Sequence, residues 1–295
     1  MEFSTTGIIC AILYLIFAPF IGGLLNGIDR KLTARMQGRK GPSVLQPFYD
    51  VYKLMKKDVF RINNMQYIFV WGFMILVIIT GIMFFAGADL LLVFFTLTTA
   101  AMFLVLEAST TNTPYSVLGS QREIAQMLSY EPMVLITAVG FYIATGSFHV
   151  SKIISADVPA IIYLPGVFFG FLFILTIKLR KSPFDISTSH HAHQELVKGI
   201  TTELSGKMLA VIEVTHWYEN VFLMGVVALF VIHKSWWSIP VALAVIAVAY
   251  FIEVLIDNTS ARVKWDVMFK SSWIITVVAG VLNIVVLQIL LPILK

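Results

Sequence analysis

The chain has 295 residues, 58% of them hydrophobic and only 13% charged, with a formal net charge of +4. An average soluble domain is roughly a quarter charged, so this composition excludes an ordinary globular enzyme and points to lipid as the solvent. The basic excess falls in loops between apolar runs, where it is a topological signal and not a nucleic-acid footprint.

A hydrocarbon core about 30 Å thick needs about 20 mostly apolar residues in a helix, because lipid cannot satisfy open backbone groups. No charge lies between Glu2 and Asp29, Arg61 and Asp89, Asp89 and Glu107, Glu131 and Lys152, or Asp157 and Lys178. These intervals predict the first five spans. A sixth is predicted from near Met208 to Ile232, a seventh from Ser235 to Ile256 and an eighth from Ser271 to Leu294. The expected fold is a single all-α transmembrane domain over residues 1–295 with about eight transmembrane helices and no internal repeat. The first run lacks a basic n-region and a small-residue cleavage site, so it reads as a permanent helix.

Three loops stand out in chain order. In the first, Val44, Phe48, Tyr52, Met55 and Val59 recur every three or four residues, predicting an interfacial amphipathic helix over 43–60. Such a helix serves either as a membrane-surface anchor or as a docking platform for a soluble partner. The second loop, Ala108 to Glu131, ends at Glu131-Pro132, which predicts Pro132 in the first turn of the fourth span. A carboxylate entering the bilayer costs a few kcal/mol on insertion scales, which makes Glu131 a functional candidate. The third loop, 181–207, is polar and carries His190, His191, His193 and Glu195. Two of the histidines are adjacent and no second ligand cluster supports a metal, so a hydrogen-bonded or proton-relaying loop is the preferred reading.

The predicted sixth span contains Glu213, His216 and Glu219, three residues apart and so within a sector of roughly 120° on one side of the helix. With Glu253 in the next span and Glu107 ending the third, they suggest a proton or cation path, since intramembrane carboxylates and histidines are the usual parts of proton relays. Purely structural polar packing is the competing reading.

With the N-terminus outside, 18 of the 21 basic residues fall in inside segments. The positive-inside rule then predicts both termini outside and large basic loops in the cytoplasm of a multi-pass cell-membrane protein. Cys10 is the single cysteine; an iron–sulfur cluster typically needs four thiolates, so redox centres are expected on other chains.

Three motifs carry a family resemblance. They are Asp29-Arg-Lys-Leu-Thr-Ala-Arg-Met-Gln-Gly-Arg-Lys-Gly-Pro followed by Leu45-Gln-Pro-Phe-Tyr-Asp-Val-Tyr-Lys-Leu; Ala125-Gln-Met-Leu-Ser-Tyr-Glu; and Pro183-Phe-Asp with Gln194-Glu-Leu-Val-Lys-Gly and Thr202-Glu-Leu-Ser-Gly. Over nearly its whole length the chain resembles the H-subunit membrane family of respiratory complex I and its hydrogenase relatives. The short first loop and Ser189-His-His-Ala-His-Gln-Glu-Leu-Val resemble most the membrane-anchor subunit of energy-converting, membrane-bound NiFe hydrogenases and their sulfur-reducing relatives.

The resemblance implies no cofactor in this chain. It implies 4Fe-4S clusters and a NiFe centre on partner subunits, namely an iron–sulfur small subunit and a NiFe large subunit in a peripheral arm, and antiporter-like subunits in the membrane. Carried over by position, Arg35, Arg39, Asp50 and Lys53 would help dock that arm, and Glu131, Asp185, Glu195, Glu203 and Glu213 would belong to the ion-coupling path. His216 and Glu219 match the complex I pattern poorly, so their roles rest on helical spacing alone. A quinone-reducing complex I subunit and a stand-alone secondary transporter are the alternatives; the transporter would usually show repeats and interrupted helices in both halves.

Overall fold

The structure, a computed structural model, describes residues 5–58, 63–181, 183–188 and 196–294, with side chains through 289. The named elements among the described residues are helices: α1 (Thr5–Met36), α2 (Gln46–Met55), α3 (Asn64–Phe85), α4 (Leu90–Ser109), α5 (Pro114–Thr145), the short α6 (Val150–Ile154) and α7 (Ala160–Tyr163), α8 (Pro165–Lys178), α9 (Gly206–Leu229), α10 (Ser238–Thr259), α11 (Trp265–Ile275) and α12 (Leu282–Leu294). Among the described residues the extended contacts are two isolated bridges, Asp89 with His149 and Phe184 with Val263.

Among the described residues six helices are long and apolar enough to cross a membrane: α1, α3, α4, α5, α10 and the run from Trp265 to Ile289. The two remaining predicted spans depart for separate reasons. Pro159 and Pro165 break the fifth apolar run, leaving α8 with 14 residues and so about 21 Å long. α9 has 24 residues and the length to cross, but Glu213, His216 and Glu219 lower its apolar content.

Two predicted boundaries also move. Pro132 lies inside α5, not at its start, because the helix already begins at Pro114. Lipid-facing hydrophobicity fades over residues 114–131 because Ser116, Glu123 and Gln126 turn into the protein, yet the backbone stays helical. The last span starts at Trp265 and contains a π-helical segment, Thr276–Val281.

Helix ends follow local chemistry. Asn63 caps α3 by accepting from Met65 N at 3.2 Å, and Asp89 caps α4 by accepting from Leu91 N at 2.9 Å, each satisfying an otherwise open N–H. The exposed start of the short α8 is closed from across the bundle. Asn283 Oδ1 accepts from Val167 N at 3.1 Å and Asn283 Nδ2 donates to Tyr163 O at 3.2 Å.

α9 is the hub, packing on α1, α2, α3 and α10. Its first half joins a core with α1, α3 and α4 through Met208, Val211 and Ile212. Its second half, from Phe222 onward, joins a larger core with α4, α5 and α8. His216 and Glu219 fall between the two. Gly22 permits the close approach of α1 to α9, since a Cβ there would strike the Trp217 backbone.

Within the predicted 43–60 segment the described helix is α2, Gln46–Met55; Val59 of the predicted stripe lies outside the described residues, and the inward face differs. Phe48 turns inward, its ring edge-on to Trp217 at 5.2 Å, while Tyr52 is 61% and Met55 47% exposed. The inward face thus runs through Pro47 and Phe48, not along the whole predicted stripe.

Candidate functional site

The C-terminus of α8 organises the polar interior. Arg180 N donates to Ile177 O at 3.0 Å and Lys181 N to Thr176 O at 3.0 Å, the paired bonds of a Schellman ending, in which the residue after the cap takes the left-handed conformation. That residue is usually glycine; here it is Arg180, with φ of 56°, at a backbone cost of roughly 1–2 kcal/mol. The turn aims Lys178, Arg180 and Lys181 at different helices.

Arg180 forks onto Glu123 of α5, with Nη2 3.0 Å from Oε1 and Nη1 3.4 Å from Oε2. It also donates to Thr188 Oγ1 at 2.8 Å and Ser187 Oγ at 3.3 Å. Ser187 in turn bonds Glu123 through its hydroxyl and Gln126 Oε1 through its backbone N–H at 2.5 Å. Burial opposes the guanidinium charge, but Glu123 and Glu219 more than offset it, so Arg180 holds its proton more tightly than usual.

Lys178 reaches Glu219 of α9, Nζ to Oε1 3.8 Å, and lies over the Tyr130 ring at 4.1 Å. Glu219 Oε2 meets His216 Nδ1 at 3.3 Å. Glu123, Gln126, Tyr130, Lys178, Arg180 and Glu219 line one cavity of about 10 Å³, room for about one water. Two ion pairs from three helices therefore face one small polar space in the bundle interior.

Lys181 forms a second centre. Its Nζ is 2.5 Å from Asp29 Oδ2 of α1 and 3.8 Å from Asp257 Oδ2 of α10. Glu253, 1% exposed, lies beside Thr176 and within electrostatic reach of Lys181 and Asp257. A third clasp holds the loop itself: Asp185 accepts from Arg122 at 3.2 Å and pairs with Arg262 at 3.2 Å, beside the Phe184–Val263 bridge.

The predicted candidates thus divide. His216 and Glu219 come together as their spacing implied, whereas Glu213, on the same helix, is half-buried and stands outside that contact. Glu253 belongs to the Lys181 centre. Glu107 is fully buried and accepts from Gln66 Nε2 at 2.8 Å, with Glu203 close enough to act on it electrostatically. Glu131 accepts from Thr98 at 2.9 Å. Asp185 is tied to two arginines, the geometry of a loop anchor. Glu195, His190, His191 and His193 lie outside the described residues.

On the surface, Arg35, Arg39 and Lys53 are exposed, and Asp50 pairs with Arg30 at 2.7 Å. Sequence reasoning missed Glu123, Lys178, Arg180 and Lys181. The Arg122-Glu123 pair within a weakly polar stretch was the available signal for Glu123.

A family model described as NADH dehydrogenase matches residues 8–288. The NADH-quinone oxidoreductase H-subunit of Syntrophotalea carbinolica is 29% identical over 296 residues, covering 88% of each chain. Hydrogenase-4 component C of Escherichia coli is 26% identical over 293 residues, covering 90% of each. A chain of the membrane-bound sulfane sulfur reductase, an archaeal respiratory membrane complex, superposes with a TM-score of 0.81 at 22% identity, covering 94% of this chain and 99% of that one. At that identity the likeness is one of fold.

Proposed function

We propose, from the premise that the chain belongs to the NADH dehydrogenase family, that it is the membrane-anchor and ion-coupling subunit of an energy-converting, membrane-bound NiFe hydrogenase complex. The family makes it a membrane subunit of the complex I-like or hydrogenase type. The hydrogenase assignment is supported by the similarity to Hydrogenase-4 component C and by the resemblance of the His-rich third-loop motif.

The observation that carries the coupling role is the buried cavity shared by the Glu123–Arg180 and Lys178–Glu219 pairs. Ion pairs withdrawn from water cost more than their attraction returns unless geometry is good, and packed apolar side chains would hold the bundle with less difficulty. Two pairs facing a water-sized space are better suited to passing charge.

In this reading α8 and α9 join the six long helices as spans, giving eight. The basic loops face the cytoplasm, and α2 with Arg35, Arg39, Asp50 and Lys53 receives a peripheral arm. That arm supplies the redox chemistry through 4Fe-4S clusters and a NiFe centre, linking ferredoxin oxidation to hydrogen evolution, while antiporter-like neighbours carry H⁺ or Na⁺. Charge arriving near the third loop moves Arg180 and Lys178 against Glu123 and Glu219 and is handed laterally along α9.

The quinone-reducing reading is favoured by the 29% identity to the NADH-quinone oxidoreductase relative, and a sulfur-reducing one by the fold likeness. Purification through this chain in mild detergent, with identification of partners, nickel and iron analysis and a hydrogen-evolution assay, separates them. Nickel with hydrogen evolution is the expected result. Iron without nickel would move the assignment to a quinone or sulfur reductase, and recovery of the chain alone would overturn it.

A further inference from the structure

Lys178 ends α8 with its side chain 5% exposed, between two cavities of about 10 Å³ each. One is the polar space lined by Glu123, Gln126, Tyr130, Arg180 and Glu219. The other is apolar, lined by Phe94, Leu97, Val134, Phe171 and Leu223. A polar pocket of this size accommodates about one water where two to four polar groups line it, whereas an apolar one stays dry. The 3.8 Å from Nζ to Glu219 Oε1 is too long for a direct hydrogen bond and short enough for one bridged by water.

The groups facing Lys178 can be named from every side. α5 presents Glu123 and Tyr130, α9 presents Glu219 with His216 behind it, and Arg180 follows two residues on in the chain. α3 and α4 present Phe73, Ala101 and Leu104, which carry no charge. Of the two cations lining the polar cavity, Lys178 and Arg180, Arg180 is held by Glu123 and a guanidinium does not release its proton in proteins. An amine does, and buried lysines are the usual exchanging cations.

We infer that Lys178 is a proton-exchanging residue of this site, trading one proton with Glu219 through the polar cavity; the inference rests on the ion-coupling reading above. One proton leaves Nζ for the bridging water as that water gives one to Glu219 Oε1. Ammonium and carboxylate become amine and carboxylic acid, and net charge is unchanged. Glu219 then passes a proton from its carboxyl to neutral His216 at Nδ1, 3.3 Å away, restoring the carboxylate and leaving an imidazolium. The neutral amine is compatible with the apolar cavity on its other side until the next proton recharges it.

The test uses the complex purified through this chain. Lys178→Arg keeps the charge and the reach but cannot exchange the proton. It is expected to lower ion uptake per electron pair roughly a hundredfold or more, the scale of losing a positioned acid–base group. Redox-induced infrared difference spectra of the parent are expected to show a protonated-carboxyl band that is absent in both Lys178→Arg and Glu219→Gln. Parental ion uptake in Lys178→Arg would overturn the inference. So would a parent spectrum with no such band, which keeps the test decisive if the variant fails to assemble. A parent complex that moves no ions would instead remove the ion-coupling reading itself.

Discussion

Arg180 sets a backbone penalty against an electrostatic gain, and the balance can be worked out from the structure. Arg180→Gly would relieve a left-handed residue at φ 56°, gaining roughly 1–2 kcal/mol. It would also strip Glu123 of a two-pronged ion pair and leave its carboxylate buried, a loss of roughly 3–5 kcal/mol. The net is a destabilisation of roughly 1–4 kcal/mol, because the glycine gain covers only part of the loss. Thermal unfolding of the purified protein in detergent, followed by tryptophan fluorescence, should show a midpoint lower by several degrees. Glu123→Gln in the same background removes the orphaned charge and should recover much of the deficit, giving a coupling energy of roughly 1–3 kcal/mol in a double-mutant cycle. An Arg180→Gly protein as stable as the parent, or additive single effects, would refute the assignment of Arg180 as the counter-charge of Glu123.

Two further perturbations test the frame around the site. Asn283→Ala leaves Val167 N–H and Tyr163 C=O unpaired at the start of α8, and should cost roughly 1–3 kcal/mol in the same melt; an unchanged midpoint would mean that α8 is held without the cap. On α2, Phe48→Ala should lower stability by about 2 kcal/mol and alter the Trp217 environment, whereas Tyr52→Ala, at an exposed position, should stay within about 0.5 kcal/mol; equal effects would contradict the inward face described for α2.

The sequence made α1, α3 and α4 legible because lipid imposes long charge-free runs, which end where Asp29, Asp89 and Glu107 stand although α1 stays helical to Met36; α10 was legible from a long apolar run that Glu253 interrupts only near its end. It misplaced the start of α5 because Ser116, Glu123 and Gln126 face protein, so polarity over 114–131 marks an interior surface and not a loop. The His216–Glu219 contact was legible because helical spacing alone brings positions three apart together. Lys178, Arg180 and Lys181 were not, since basic residues at the end of an apolar run are ordinarily cytoplasmic charges. Their partners are distant in the chain, with Glu123 57 positions from Arg180 and Asp29 152 from Lys181. Only the packing of α1, α5, α9 and α10 around the end of α8 turns those loop charges into buried pairs.

The coupling role is tested most directly by Glu219→Gln in membrane vesicles, with hydrogen evolution from reduced ferredoxin and ion accumulation measured on the same preparation. Glutamine preserves size and a hydrogen bond to His216 but cannot carry a proton. The expected result is an assembled complex that still evolves hydrogen while ion accumulation collapses. Ion accumulation in parental proportion to hydrogen would contradict the role assigned to the buried cluster.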